Sequence, residues 1–347
     1  METYRTAHIV VCGERAFDAG RHAALVYHMP AFEADARKKT RITVLAGSRS
    51  EIEDFVFEYQ ELFDNSWWRI IDLSAGGPPP ETHRPQYDGR RSEFVDVEWE
   101  FVVARLSNPV VQAKLRRWST DAGQSLIVRL AYEDAGTGER YVSCLRRRLP
   151  GSRIEVYAPA DESVLLRTAR YLNYFYEYSR KRGAVPVEMP EDEVERAWQA
   201  LTDPVMRRSN IYNAMAIPAK MELLGHDPAD WRNYYALTAK EIELLTAVEH
   251  NRWCVERLMQ GTRPCTDREA AEVEDDMRRR LADSGYAARN PVSLKKKFKN
   301  ERGAHYDLRP FSELGVDESG QPVSRYDRDL TRAIPLIARA CAGKEHE

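Results

Sequence analysis

The chain of 347 residues is long enough for two folded bodies, and 43% hydrophobic content is enough to fill packed interiors. Its 52 basic and 55 acidic side chains leave a formal charge of −3, so no chain-wide field attracts nucleic acid and a basic site has to be local. Nucleic acid is therefore not an expected partner. Five cysteines (Cys12, Cys144, Cys254, Cys265, Cys341) are scattered without a C-x-x-C pair, which excludes a disulfide framework and a zinc knuckle. The opening METYRTAHIVVCG lacks the charged-then-apolar order of a secretion signal, and no apolar run approaches bilayer length. A cytoplasmic protein without membrane insertion is expected.

In chain order, short apolar runs read as strands at His8–Cys12, Ile42–Ala46, Trp67–Leu73, Phe94–Ala104, Ser125–Tyr132 and Arg153–Ala158. Helical spacing falls between them at Phe17–Tyr27, Glu51–Phe63 and Pro109–Trp118. Alternation of this kind predicts an α/β, Rossmann-like N-terminal domain built on a parallel sheet covered on both faces. Next comes Leu165–Tyr178, where Tyr171, Tyr174, Phe175 and Tyr178 share one helical stripe and read as core. The Pro- and acid-rich stretch Gly183–Asp192 reads as a linker, followed by helices over Glu193–Ala200 and Ser209–Leu224. Thr238 and Glu241 form a capping box for a helix that stops at Gly261, with Pro264 just beyond. A charged amphipathic segment (Asp267–Arg280), a basic stretch containing Lys295–Lys297 and Lys299, and a last helix near Tyr326–Ala340 complete the chain. The expected organisation is a Rossmann-like domain over 1–182, a helical linker or bridge over 183–235, and a mainly α C-terminal domain over 236–347.

Gly13 closes the first strand and permits the tight turn into a helix whose free amides favour phosphate. The G-x-G-x-x-G spacing is absent, because Glu14 and Arg15 follow Gly13. After the second strand, Gly47-Ser48-Arg49 replaces the usual ribose-binding acid, and arginine suits a phosphate. Gly13, Arg15 and Arg49 thus form a candidate second nucleotide site, or the domain serves folding or dimerisation alone. Glu98 and Glu100 flank Trp99 on one strand face, which fits acid–base work or, with so many arginines near, ion pairing.

The most informative run is Glu249 to Gly261, E-H-N-R-W-C-V-E-R-L-M-Q-G. On a helix, Leu244, Val248, Val255 and Met259 share the core stripe, whereas His250, Trp253 and Arg257 share another. A ring that titrates, an indole and a guanidinium together suit a nucleobase and its phosphate, or else a polar network that fixes the helix.

His250-Asn251-x-Trp253, then Arg257 and Gly261, resembles the H-N-x-W-x-x-x-R-x-x-x-G signature that opens ryanodine-receptor repeat (RyR) domains. The stretch Tyr306–Leu314 resembles the strand-turn segment of that domain, and Tyr326-Asp327-Arg328 with Ile334–Ile337 resembles its closing helix. Two departures stand out: Gly261 is followed by Thr262-Arg263-Pro264 in place of an aromatic pair, and a charged insertion runs from Cys265 to Ala304. The N-terminal half is similar to TrkA-N/RCK domains, carried by V-E-W-E-F and by Arg208–Ala214.

The resemblance implies a soluble sensor, in a setting such as antiviral defence, that binds a nucleotide or nucleotide-derived second messenger. No cofactor is required on this reading, and a homo-oligomer is expected. Trp253 would stack the base, Arg257 and Arg309 would take phosphate or ribose, His250 and Asn251 would read polar edges, and Tyr306 would line the wall. Two rival readings are a nucleotide- or NAD-processing enzyme using Glu98 or Glu100 and a regulatory subunit of a separately encoded channel. Against the enzyme, the sequence offers no P-loop, metal set or nucleophile–base pair.

Overall fold

A computed structural model of the chain describes residues 7–27, 41–46, 49–65, 68–72, 125–131, 139, 142, 153–157, 161–227 and 236–342. The chain divides into two compact units, the first comprising Met1–Pro159 with Leu258–Gly261 and the second Ala160–Arg257 with Thr262–Glu347.

Unit 1 contains β1 (Ala7–Cys12), α1 (Ala16–Tyr27), β2 (Arg41–Ala46), α2 (Arg49–Glu58), α3 (Gln60–Asp64), β3 (Trp68–Asp72), β4 (Ser125–Leu130) and β5 (Arg153–Val156). The strands pair in parallel in the order β3-β2-β1-β4-β5. Ile9, Val11, Ile42 and Val44 are fully buried, and α1 lays Ala19, Ala23 and Ala24 inward, small residues that permit close approach to the sheet. At the end of β1, Gly13 adopts φ 116°, a backbone open to glycine, and the Arg15 amide donates to Ala131 O at 2.9 Å.

The expected fold class needs correction. The described residues are predominantly helical, and parallel pairing is confined to five strands of four to six residues and one two-residue pair. This falls short of the extended, doubly covered Rossmann sheet read from the sequence. β5 buries only Ile154 and leaves Arg153, Glu155 and Val156 partly exposed, which an interior parallel strand would not do. The strand expected at Phe94–Ala104 and the helix expected at Pro109–Trp118 lie outside the described residues, as do Glu98 and Glu100.

The helical bridge is corrected too. In unit 2, α4 (Glu162–Arg182), α5 (Glu191–Ala200), α6 (Pro204–Leu223), α7 (Ala239–Met259) and α11 (Arg325–Ala342) share one core. Tyr171, Leu172 and Phe175 of α4, Val194 and Trp198 of α5, Ile217 of α6, Leu245 of α7 and Ile334 of α11 are all buried in it. The helices read as a spacer therefore form part of the domain interior, and α4, placed by sequence in the N-terminal domain, belongs to unit 2.

Local chemistry fixes where these helices begin and end. Asp161 caps α4 by accepting from the amides of Ser163 and Val164, and Gly183 closes it in the left-handed region at φ 63°. Pro204 opens α6 behind the Asp203 cap. The Thr238–Glu241 box is present at the start of α7, with Thr238 N donating to Glu241 at 2.7 Å. Beyond α7 follow β6 (Arg263–Pro264), α8 (Asp267–Ala282), α9 (Ser284–Arg289), α10 (Leu294–Arg302), β7 (Ala304–His305) and a 3-10 turn (Phe311–Glu313). A smaller core of Val273, Met277, Phe298, Ala304 and Tyr306 holds α8, α10 and β7 together.

The shared core predicts how fragments behave. Full burial of a large side chain is worth roughly 1.5–3 kcal/mol, so deleting α4 removes much of a stability that totals about 5–15 kcal/mol in a typical domain. A fragment spanning 160–347 should unfold cooperatively on heating, followed by circular dichroism, and one spanning 183–347 should show no cooperative transition. Equal behaviour of the two would contradict the placement of α4.

Candidate functional site

The centre of unit 2 is a buried set of four charges. Lys220 of α6 and Glu249, Arg252 and Glu256 of α7 are each no more than 1% exposed. Glu249 accepts from Lys220 Nζ at 2.6 Å, from Asn213 Nδ2 at 3.0 Å and from Arg252 Nη2 at 2.9 Å. Arg252 Nη1 donates to Glu256 at 2.8 Å, and Ser209 Oγ donates to the same oxygen at 2.9 Å. Two positive and two negative groups cancel, and hydrogen bonds fill their coordination, the condition under which buried ions are tolerated. Burial alone would push the Glu249 carboxyl up, yet Arg252 and Lys220 bring it down to about 2.

Beside this network lies a cavity of about 550 Å³ lined by residues of α4, α6, α7, α10, α11 and the turns around Asp307 and Asp317. His250 is a lock in its wall. Its Nε2 lies 2.9 Å from the Arg309 carbonyl oxygen, and its Nδ1 lies 3.4 Å from Asp327 Oδ2. Two acceptors at two ring nitrogens call for an imidazolium. Burial works against that charge, but the Asp327 carboxylate outweighs it and holds the ring well above its usual range.

Cys254 Sγ stands 3.4 Å from His250 Nε2, so Cys254, His250 and Asp327 are arranged in the order of a nucleophile, a base and an orienting acid. The thiol is fully buried and burial pushes it up, away from thiolate. It does not line the cavity, and His250 already serves the Arg309 carbonyl. The three side chains tie α7, the Tyr306–Arg309 turn and α11 together.

Trp253 and Arg257 line the cavity, as expected from the helix stripe. The indole stacks on His250, with centroids 5.8 Å apart and planes 27° apart, and meets His305 edge-on at 5.0 Å. The Arg257 guanidinium lies 5.6 Å from the indole centroid and 3.6 Å from Glu256 Oε1. The stacking contact expected for a base is thus made to His250, and Trp253 orients its neighbours. A second aromatic pair, Tyr176 and Tyr326, also lines the cavity, with ring centroids 6.4 Å apart.

Three expected ligand contacts lie elsewhere. Asn251 does not line the cavity. Tyr306 is buried in the small core and donates its hydroxyl to Glu274 at 2.9 Å. The Arg309 guanidinium covers the Tyr306 ring at 3.7 Å and donates to Tyr306 O at 2.8 Å. In unit 1, Gly13 and Arg15 lie at the first strand-to-helix turn and Arg49 opens α2. Arg15 pairs with Asp18 at 3.3 Å and lies over the Tyr157 ring. Among the described residues no group of three or more His, Cys, Asp or Glu is placed to hold a metal ion.

The side chains that sequence reasoning missed come from distant segments: Ser209, Asn210 and Asn213 on α6, Lys295 and Lys299 on α10, and His305 with Asp307. Lys295 pairs with Asp307 at 2.6 Å and Lys296 with Glu318 at 3.1 Å, whereas Lys299 has neither an ion pair nor a hydrogen bond among the described residues. His305 Nδ1 accepts the Asp307 amide at 3.2 Å, which puts the proton of the neutral ring on Nε2. Burial brings this ring down to about 4 against the pull of Asp307. Compared with known proteins, the chain matches no protein-family model, no curated protein and no solved structure.

The two histidines should titrate in opposite senses. Ring-nitrogen NMR should find His250 doubly protonated at pH 7.5 and His305 neutral, with its proton on Nε2, down to about pH 4. Because the folded value of His250 lies above the unfolded one, its stabilisation is complete below about pH 6.5 and is lost as pH rises through the folded value. His250→Gln should abolish that alkaline loss in chemical unfolding, and a neutral His250 at pH 7.5 would contradict the lock.

Proposed function

We propose that unit 2 is the receptor of a sensor and binds a nucleotide or nucleotide-derived second messenger in the cavity beside α7. One observation carries the reading: Trp253, with Arg257 and His305 against its ring, lines one cavity together with Lys299, Tyr176 and Tyr326. Cations and a neutral N–H suit a phosphate, and aromatic rings suit a base. A volume of about 550 Å³ lies within the range of small-molecule sites. The RyR-like signature supports the same region, since His250, Trp253 and Arg257 are the signature residues that reach the cavity. On this reading Trp253 holds Arg257 and His305 in place, and His250 keeps the wall closed. No helix among the described residues is long and apolar enough to cross a membrane.

A receptor shifts an equilibrium only by its different affinity for two states, so binding is the first property to measure. Calorimetric titration of the full chain with adenine and guanine nucleotides and with cyclic oligonucleotides should give saturable heat. Arg257→Ala should weaken binding by roughly tenfold or more, the size of one charge-assisted hydrogen bond. Trp253→Ala should weaken it as well, by releasing Arg257 and His305. Absence of heat with every nucleotide, or unchanged affinity in both variants, would overturn the reading.

A further inference from the structure

Two groups of aromatic rings line the cavity, and they differ in what already touches them. Around Trp253 the ring contacts are made within the protein: His250 stacks on the indole, His305 meets its edge and Arg257 lies against it. The second group is the pair Tyr176 of α4 and Tyr326 of α11, which share the lining with Met206 and Asn210 of α6.

Asn210 adds to this second group an amide whose orientation is fixed. Its Nδ2 donates to the Met206 carbonyl oxygen at 3.0 Å and to Asn173 Oδ1 at 3.4 Å. A carbonyl oxygen only accepts, so the amide nitrogen has to be the atom that faces it. Asn173 is oriented in the same way, because its own Nδ2 donates to Ala197 O at 3.3 Å. Both hydrogens of the Asn210 amide are thereby committed. Its Oδ1 receives no hydrogen bond among the described residues, and it is not one of the polar atoms sealed from open space without a partner. Asn210 is a buried residue that lines the cavity, so this oxygen offers the cavity an acceptor. The neighbouring Asn213 has no such opening, since its Nδ2 donates to Glu249 and its Oδ1 accepts from Lys220. Asn173 and Tyr176 stand one turn apart on α4, which brings the Asn210 amide and the tyrosine pair to one part of the wall.

We infer that the base lies against Tyr176 and Tyr326 and donates a hydrogen of its exocyclic amino group to Asn210 Oδ1, so that the site prefers an aminated base to hypoxanthine or uracil. The inference rests on the nucleotide reading above and narrows it. Stacking on an aromatic ring favours any base and gives affinity without selectivity. Selectivity comes from the amide, because an acceptor held in place rewards an N–H and repels a keto oxygen put in its position. The committed Nδ2 also removes the two-point pairing that a free asparagine makes with adenine, leaving recognition of a donor alone. A site built around a hydrogen bond discriminates against an analogue that lacks the group.

The test is calorimetry on the full chain with three pairs of nucleoside 5′-monophosphates, one member of each lacking the amino group: adenosine against purine riboside, guanosine against inosine, and cytidine against uridine. In at least one pair the aminated member should bind about tenfold more tightly or better. Asn210→Leu and the smaller Asn210→Ala should each erase that ratio. Two ligands are compared on one protein, so any general weakening of a variant cancels. Tyr176→Leu should weaken both members by roughly tenfold and keep the ratio between them. Equal affinity within all three pairs, or a ratio that survives the Asn210 variants, overturns the amino-group assignment and leaves the nucleotide reading standing. Full affinity in Tyr176→Leu overturns the placement of the base. Absence of binding by every member overturns the inference, and the nucleotide reading falls with it if the cyclic oligonucleotides also give no heat.

Discussion

Burying Lys220, Glu249, Arg252 and Glu256 is the constraint on which unit 2 depends. A charge taken out of water costs several kcal/mol, so α6 and α7 can pack only in the register that pairs all four. Slippage by one turn would strand a charge. The network is also supported by neutral groups, with Asn213 bridging Lys220 and Glu249 and Ser209 capping Glu256. Such an arrangement adds less stability than an apolar core of equal volume and adds more specificity of packing. The cavity inherits that specificity, because Ser209, Asn213 and Arg252 belong both to the network and to its wall.

Helix α7 carries three roles around its circumference. Leu245, Val248 and Val255 are buried, Glu249, Arg252 and Glu256 form the ionic network, and His250, Trp253 and Arg257 face the cavity. A helix buried on so many sides needs every polar group satisfied, and the partners come from α6, α11 and the Tyr306–Arg309 turn. His250 shows the consequence: a side chain suited to ligand reading is committed to Asp327 and a carbonyl oxygen, and so becomes part of the frame. His305, which also lines the cavity, is kept neutral by its burial.

Sequence reasoning reached local features with local causes. The Thr238–Glu241 box, the stop at Gly261, the Tyr171–Tyr178 core stripe and the run of Ile42–Ala46 depend on neighbours within a few residues, and these can be read directly. The ionic network could not be read that way. Glu249, Arg252 and Glu256 have the i, i+3, i+7 spacing of a solvated face, and Lys220 and Asn213, which lie 29 and 36 residues before Glu249, turn that face inward. The individual partners in the lysine run were out of reach for the same reason. Successive positions on α10 point different ways, so Lys295 reaches Asp307, Lys296 reaches Glu318, and Lys299 lines the cavity. The bridge failed as a concept because a Pro-rich connection between helices says nothing about whether those helices share a core. Tyr306 and Arg309 were drawn from the site by Glu274 in the charged insertion.

The central claim is that the four buried charges act as one unit and fix the frame of the cavity. A double-mutant cycle on Lys220→Met and Glu249→Gln, read by chemical unfolding, measures that directly. Each single change should cost about 3–5 kcal/mol, because it leaves buried charge without a partner. The double variant should cost less than the sum of the two by about 2 kcal/mol or more, a coupling within the range for residues of one network. Costs that add to within about 0.5 kcal/mol would mean that Lys220 and Glu249 act independently, and the account of how α6 and α7 are held would be wrong.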